Sequence, residues 1–515
     1  MIPTAYLWFV DHTGIMNRVW TISKSGTTGI MVTAHLPLEE ALFFFLVNCM
    51  IVFGILAIER SFAIMRIVHS RIGARGGRIS VVGSNPKKSA ENSFLEDWTI
   101  KDEIKCVVQC AFMHESQVDQ QAVSDLIAVH KLICAHSKTF SMASKLYPQP
   151  LREDIVALYG FCRISDDVAD IADENSDYEQ MKIWANAVMV MIQDFIEACY
   201  LPFDANDQQD TLNRLISGIC TGISNFERFP ANSSDVESVF RLFSTRIPRS
   251  VPKKCIQELL DGFKWDMAKR QIDSDADLVK YSEHAASSIG EACLYLMILH
   301  DAESKLGACV ETINNGHIKP SENVIQKARD MGVALQLANI ARDLISDAEE
   351  LHRSYVPLPW FSPNYFQKEA ATATTATNYS DFKVGEPTKS EDVTLRLRKI
   401  TGKSKTAPVA LLNSAELSEK SNLEKLRDRF ISHPDKNKTT LKHFSRKIVS
   451  MAQPYTISAV AGIESLPRTH RGAVKTALLM YMQIGEIILA SEEYPRRAVV
   501  STPVKLVILL KGLYF

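Results

Sequence analysis

Two stretches carry carboxylates at helical spacing. In "CRISDDVADIADE", residues 162–174, Asp166, Asp170 and Asp173 fall at i, i+4 and i+7. In "NIARDLISDAEE", residues 339–350, Asp343, Asp347 and Glu350 repeat that spacing. On a helix each set shares one face, where like charges repel and call for a counterion. Carboxylate oxygens with no histidine or cysteine beside them suit a hard cation, Mg²⁺ or Mn²⁺. Magnesium is commonly shared between one or two carboxylates and substrate phosphates. Two such stripes facing each other would clamp diphosphates through metal, with Asp166, Asp170, Asp343 and Asp347 as ligands and Asp167, Asp173 and Glu350 as weaker candidates. Arg163 and Arg342, each ahead of a stripe, and Lys138 could neutralise phosphate oxygens, or form ion pairs with neighbouring aspartates. A single stripe read alone would be a solvated helix face; the repeat after a second apolar stretch favours a site.

Elements of the right kind surround these residues. Between residues 112 and 361 apolar side chains recur at three and four, as in "LIAVHKLICAH", "MKIWANAVMVMIQDFI" and "ARDMGVALQLANIARDL". Strand-like alternation is nearly absent, so an all-α bundle with a central apolar cavity is expected. Helical pattern returns after residue 440 in "IVSMAQPYTISAVAGI" and "AVKTALLMYMQIGEIILA". Residues 366–440 are polar and low in aromatics, and read as a disordered insertion. Residues 81–111 read as a linker.

The composition is that of a globular protein, 46% hydrophobic and 23% charged. A net charge of -2, with no basic stretch interleaved with aromatics, gives no footprint for nucleic acid. The ten cysteines form no C-x-x-C pair, which fits reduced thiols in an intracellular setting. Residues 41–58, "ALFFFLVNCMIVFGILAI", are long and apolar enough for a transmembrane helix. Arg60, Arg66, Arg71 and Arg75 follow and Glu39 and Glu40 precede, which places the rest of the chain on the cytosolic side of an intracellular membrane. The closing "VKLVILLKGLYF" is too short to span, and reads either as a segment lying on the membrane surface or as the end of a core helix.

With these residues in place, a family resemblance follows. "DDVAD" and "DLISD" resemble the two aspartate-rich motifs of the squalene and phytoene synthases. "HSKTF", "YGFCRISDDVAD", "YSEHAASSIGE", "ALQLANIARDLISDA" and "RSYVPLP" stand in the expected order and are more similar to the phytoene branch. The segment "HLPLEEALFFFLVNCMIVFG" resembles the end of small membrane-bound carotenoid cyclases, which precede the synthase in fungal-type bifunctional lycopene cyclase/phytoene synthases. Only the last part of such a cyclase, residues 1–80, is expected here.

The resemblance implies an isoprenoid-synthase helical bundle that condenses two geranylgeranyl diphosphates to phytoene with Mg²⁺ or Mn²⁺ and without NADPH. It assigns Asp166, Asp170, Asp343, Asp347 and Tyr281 to catalysis. Lys138, Arg163, Arg342, Gln336, Asn339, Tyr159 and Tyr355 would bind substrate. Phe140, Tyr159, Phe161 and Tyr281 could present ring faces to an allylic cation, or simply pack the core. The small residues of "AASSIG", 285–290, could admit an isoprenoid chain or a second helix. Asp266 is a lesser candidate, alternatively part of a mixed-charge surface. Glu39 or Glu40 could protonate a polyene or merely flank the span. Two other readings stand beside this one: a squalene-type synthase using NADPH, and a non-catalytic, membrane-docked assembly factor of the same fold.

Overall fold

The computed structural model describes residues 2–23, 26–74, 108, 110, 112, 120–136, 143–147, 149–171, 178–201, 205–224, 226, 229–300, 310–312, 318–362, 365, 414–434 and 438–514. Two compact units divide the chain, residues 1–120 and 121–515. The first contains α1 (Ile2–Met16) and α2 (Leu38–Ala74). Within α2, Leu38–Ile58 has a mean hydropathy of 2.7 and only 6% of its most apolar window is buried, which agrees with the expected span in length and composition. Arg468–Ala490 is also long and apolar, but 44% of its most apolar stretch is buried and it is a helix of the bundle.

The second unit is built from α3 (Gln120–His136), α4 (Gln149–Ile171), α5 (Tyr178–Cys199), α6 (Ala205–Ser224), α7 (Ser233–Arg246) and α8 (Lys253–Met267). It continues with α9 (Asp275–Ser282), a π-helical turn at Glu283–Ser287, α10 (Ser288–Leu299) and α11 (Glu322–Glu350). The last helices are α12 (Ser414–Ser432), α13 (Lys438–Ile463), α14 (Arg468–Ala490) and α15 (Thr502–Tyr514). Among the described residues the all-α expectation holds apart from one short antiparallel pair, Val310–Thr312 with Ile318–Pro320. The apolar runs predicted to be helical fall in α3, α5, α11, α13 and α14. Residues 366–413 lie outside the described residues. The remainder of that expected disordered insertion is corrected: Ser414–Ser432 is a helix whose end is fixed by Phe430, packed edge-on to Phe444 and Phe361. Its surface is so polar that the pattern resembles a solvated segment.

Local signals start the helices. Asn232 caps α7 by accepting the Asp235 N–H at 2.8 Å, and Ser274 caps α9 by accepting the Asp277 N–H at 3.1 Å. Packing then fixes their places. Phe161 on α4 stacks on Phe243 and meets Phe240 edge-on, which buries that face of α4 completely. Phe161 is therefore core, the packing role rather than the ring face toward a cation. The centre of the bundle is tight because glycines face backbone. A Cβ on Gly332 of α11 would stand 2.5 Å from the Ala286 carbonyl oxygen, so only glycine lets α11 meet the 283–287 turn.

Candidate active site

One face of α4 and one face of α11 both line an apolar cavity of about 520 Å³, within the size range of small-molecule sites. On α4 the lining residues are Ile155, Leu158, Tyr159, Cys162, Arg163 and Asp166. On α11 they include Val324, Lys327, Met331, Leu335, Gln336 and Asn339. Both sets recur at three and four, the spacing of a single helix face. Asp170 is one turn beyond Asp166, and Asp343 and Asp347 are one and two turns beyond Asn339. Each helix thus passes from an apolar lining to carboxylates along the same stripe. Ala285, Ala286, Ile289 and Gly290 complete the wall from the π-turn and α10. The small residues of "AASSIG" pack on a second helix, with Gly290 against the backbone of Ala328, as well as lining the cavity.

The two stripes are joined by Arg353. This buried side chain follows α11, where its backbone N–H donates to the Asp347 carbonyl at 2.9 Å. Its Nη1 donates to Asp170 Oδ1 at 3.1 Å, and Nη2 donates to the Ala169 carbonyl at 3.3 Å. The same Nη1 lies 3.7 Å from Asp266 Oδ1. Asp266 lines the cavity and is only 8% exposed, which corrects the mixed-charge surface reading. It accepts hydrogen bonds from Tyr281 Oη at 3.0 Å and Tyr355 Oη at 2.9 Å. The two tyrosine rings stack with centroids 4.6 Å apart. Burial pushes both phenols well above their usual range, so they act as donors.

The carboxyls carry the strain of this crowding. Burial drives Asp166 well above the ordinary carboxylate range, and Asp170 adds to the shift while Arg163 opposes it. Burial does the same to Asp347, with Asp343, Asp170 and Asp266 adding and Arg353 opposing. Asp167 and Asp266 are each pushed up to about 6 by burial, against the pull of Arg163 and Arg353 respectively. One guanidinium faces three carboxylates, Asp170, Asp266 and Asp347, leaving excess negative charge. Oxygen donors with unbalanced charge fit a divalent cation. Among the described residues no three acidic, histidine or cysteine side chains already converge at metal distance. Asp166, Asp170 and Asp347 would hold such ions, with substrate oxygens and water supplying the other ligands.

The remaining candidates are placed as follows. Arg163 pairs with Asp167, and its Nη1 reaches Asp166 Oδ2 at 3.4 Å. Arg342 grips Asp343, with Nε 2.9 Å and 3.0 Å from the two carboxylate oxygens, and Arg497 approaches at 3.6 Å. The ion-pair reading thus holds for both arginines, and Asp343 is the most neutralised member of its stripe. Tyr159, Gln336 and Asn339 line the cavity, and the buried Asn339 Oδ1 has no hydrogen-bond partner. Glu350 is exposed and lies outside the cluster. Lys138, Phe140 and Asp173 lie outside the described residues. In the first unit, Glu39 Oε1 accepts the Thr28 N–H at 2.6 Å. Arg353 was the residue missed; its signal was "RSYVPLP", where an arginine and Tyr355 follow the second stripe within one short turn.

Helices enclosing an apolar cavity, with aspartate stripes where two of them extend past it, define an α-helical bundle with a candidate site for a ligand that is apolar at one end and anionic at the other. Residues 133–380 match the model of the squalene/phytoene synthase family. The bifunctional lycopene cyclase/phytoene synthase of Blakeslea trispora is 28% identical over 500 residues, covering 97% of this chain and 64% of its own length. That of Phycomyces blakesleeanus is 30% identical over 363 residues, covering 70% of this chain and 51% of its own. The chain therefore spans between half and two thirds of these relatives. Among solved structures, a dehydrosqualene synthase in complex with ligand aligns at a TM-score of 0.40 and 14% identity, covering 76% of this chain and 97% of that one. A squalene synthase from Alicyclobacillus acidocaldarius aligns at 0.39 and 16%, covering 73% and 95%.

Proposed function

We propose that residues 121–515 condense two geranylgeranyl diphosphates head to head into phytoene, without NADPH. The observation that carries this reading is the junction at Arg353 of two aspartate stripes that extend the lining of one apolar cavity. An allylic diphosphate has the matching halves, a charged head for the carboxylate end and a long apolar tail for the cavity. Mg²⁺ or Mn²⁺ held by Asp166, Asp170 and Asp347 would neutralise charge that develops on the leaving diphosphate as the allylic C–O bond breaks. Arg163 and Arg342 stand at the heads of the stripes, where an ion pair with aspartate can be exchanged for one with phosphate. Gln336 and Asn339 sit at the transition from lining to stripe, and the unpaired Asn339 Oδ1 can hold a water or a hydroxyl. Apolar lining keeps bulk water from a carbocation. Tyr159 and Tyr281, both in the lining, offer ring faces to that cation at about 0.5–2 kcal/mol each.

Purified full-length protein incubated with geranylgeranyl diphosphate and Mg²⁺ tests the proposal. Phytoene formed equally with and without NADPH supports it; product that requires NADPH points to the squalene-type reading. Asp166→Ala combined with Asp343→Ala should abolish turnover, and unchanged turnover would remove the metal clamp from the mechanism. A folded protein that is inactive under all these conditions leaves the assembly-factor reading.

We further propose that α2 crosses an intracellular membrane with the synthase unit on the cytosolic side, supported by its apolar length and by the arginines that follow it. A second activity is favoured by one observation. The Blakeslea trispora relative aligns over 97% of this chain, so its match runs through the first unit. Glu39 and Glu40 are there as candidate acids for a lycopene cyclase. Feeding lycopene to a bacterial host that expresses the chain tests this; absence of cyclised product rejects it.

A further inference from the structure

Helices on the surface of a folded protein turn polar side chains outward. The carboxy-terminal helix α15 does the reverse. Its inner side is Ile508, 6% exposed, with Gly512 so close to Gly472 and Thr476 of α14 that a side chain there would clash. On the opposite side Leu506, Val507 and Leu510 are 58%, 50% and 47% exposed. Val499 and Val504 extend this patch, while the other large exposed apolar residues of the second unit are scattered singly. Basic residues border it: Lys505 and Lys511 on the helix, and Arg496 and Arg497 in the preceding segment, whose side chains are 75% and 65% exposed while pairing with Glu349 at 2.8 Å and Asp343 at 3.6 Å.

The helix beneath connects this patch to the cavity. On α14, Val474, Ala477 and Tyr481 line the cavity, whereas Gly472 and Thr476 seat α15. Two packed helices, α14 and α15, therefore separate the apolar cavity from the apolar surface.

We propose that the outward face of α15 docks in the plane of a lipid membrane, with its basic border on anionic headgroups. An apolar face with cationic edges is the pattern of in-plane interfacial helices. A second copy of this chain is the poorer occupant, because a symmetric contact would set the same cationic borders against each other. Docking there brings lipid within two helices, α15 and α14, of a cavity whose product, under the function proposed above, is a hydrocarbon soluble only in lipid.

The test uses the full-length chain with a photoreactive benzophenone amino acid at position 507 or, as control, at Ile183, which is 68% exposed on α5. Each protein is reconstituted with phosphatidylcholine vesicles containing phosphatidylserine, floated and irradiated. Lipid adducts several-fold more abundant at 507 than at 183 are expected. Leu506→Glu with Leu510→Glu should lower the 507 adducts several-fold without moving the melting temperature, since both side chains are exposed. Equal adducts at 507 and 183 overturn the proposal, whether or not the chain floats, as do protein–protein adducts at 507 in place of lipid. Adducts at 507 in a protein that makes no phytoene uphold the docking and overturn the catalytic reading alone.

Discussion

Arg353 Nη1 lies 3.1 Å from Asp170 Oδ1, which ties the end of one acidic helix to the chain leaving the other. A buried ion pair of this kind is not chiefly a source of stability, but removing one partner strands the other. Arg353→Met should destabilise the metal-free protein by about 3–5 kcal/mol, the usual cost of leaving a buried charge without its partner. Turnover should fall by on the order of a hundredfold, the scale of losing one group that orients charge at a reacting centre. Arg353→Lys keeps the charge but not the second contact, to the Ala169 carbonyl, and should recover stability more fully than rate. Denaturant titration and steady-state kinetics on the three proteins check this; a Met variant as active as the parent would show that Arg353 has no part in organising the site.

The buried carboxyls give the metal-free protein a distinctive pH dependence. Burial pushes Asp266 up to about 6, against Arg353 and the hydrogen bonds from Tyr355 and Tyr281. The folded chain then holds this proton more tightly than the unfolded chain, where an aspartate titrates near 3.9. Its contribution to stability is full below the unfolded value and is lost as pH rises through about 6. Between pH 4.5 and 7.5 the parent should lose about 2 kcal/mol relative to Asp266→Asn, which carries no titrating group there. Urea melts of both proteins in chelator measure the difference. Mg²⁺ with inorganic diphosphate, added at pH 7.5, should raise the melting temperature of the parent by binding the charged site.

Periodicity made much of this legible. Asp166 and Asp170, like Asp343 and Asp347, reveal a shared face because four residues make about one helical turn. The same rule separates Phe161 from Tyr159: it is two residues away and so turned toward Phe240 and Phe243 rather than the cavity. Arg353 was not legible in this way. It follows His352, which adopts φ 49°, and reaches Asp170 only because the chain reverses direction there. For Asp266 the sequence leaves a site role and a charged surface both open, because Lys264, Lys269 and Arg270 surround it. Lys264 instead turns toward Asp261, and Arg270 lies over the Trp265 ring at 3.9 Å. Contacts made by helices distant in sequence decide such cases.

Residues 121–515 form a compact unit with all the described site residues, so the first unit should be dispensable for condensation. A protein beginning at residue 90 should convert geranylgeranyl diphosphate to phytoene in detergent at a rate within a few-fold of the full chain. Folded protein, judged by helical circular dichroism, that yields no product would show that the first unit contributes to the chemistry.

The cavity also depends on how closely α11 approaches the π-turn. A Cβ on Gly332 would stand 2.5 Å from both the Ala286 carbonyl oxygen and Ser287 Cα, backbone atoms that cannot swing aside. Gly332→Ala must therefore move one helix or the other, a displacement that typically costs about 1–3 kcal/mol. Because Gly332 and Ala286 both line the cavity, the shift should also lower kcat/KM for the long-chain diphosphate. Gly218 on α6 provides the contrast, since a Cβ there meets only the Met191 sulfur at 3.4 Å. Gly218→Ala should be neutral or stabilising by up to about 1 kcal/mol, because alanine is the better helix former. If the two substitutions changed stability and kinetics alike, close packing of α11 on the π-turn would not be what shapes the cavity.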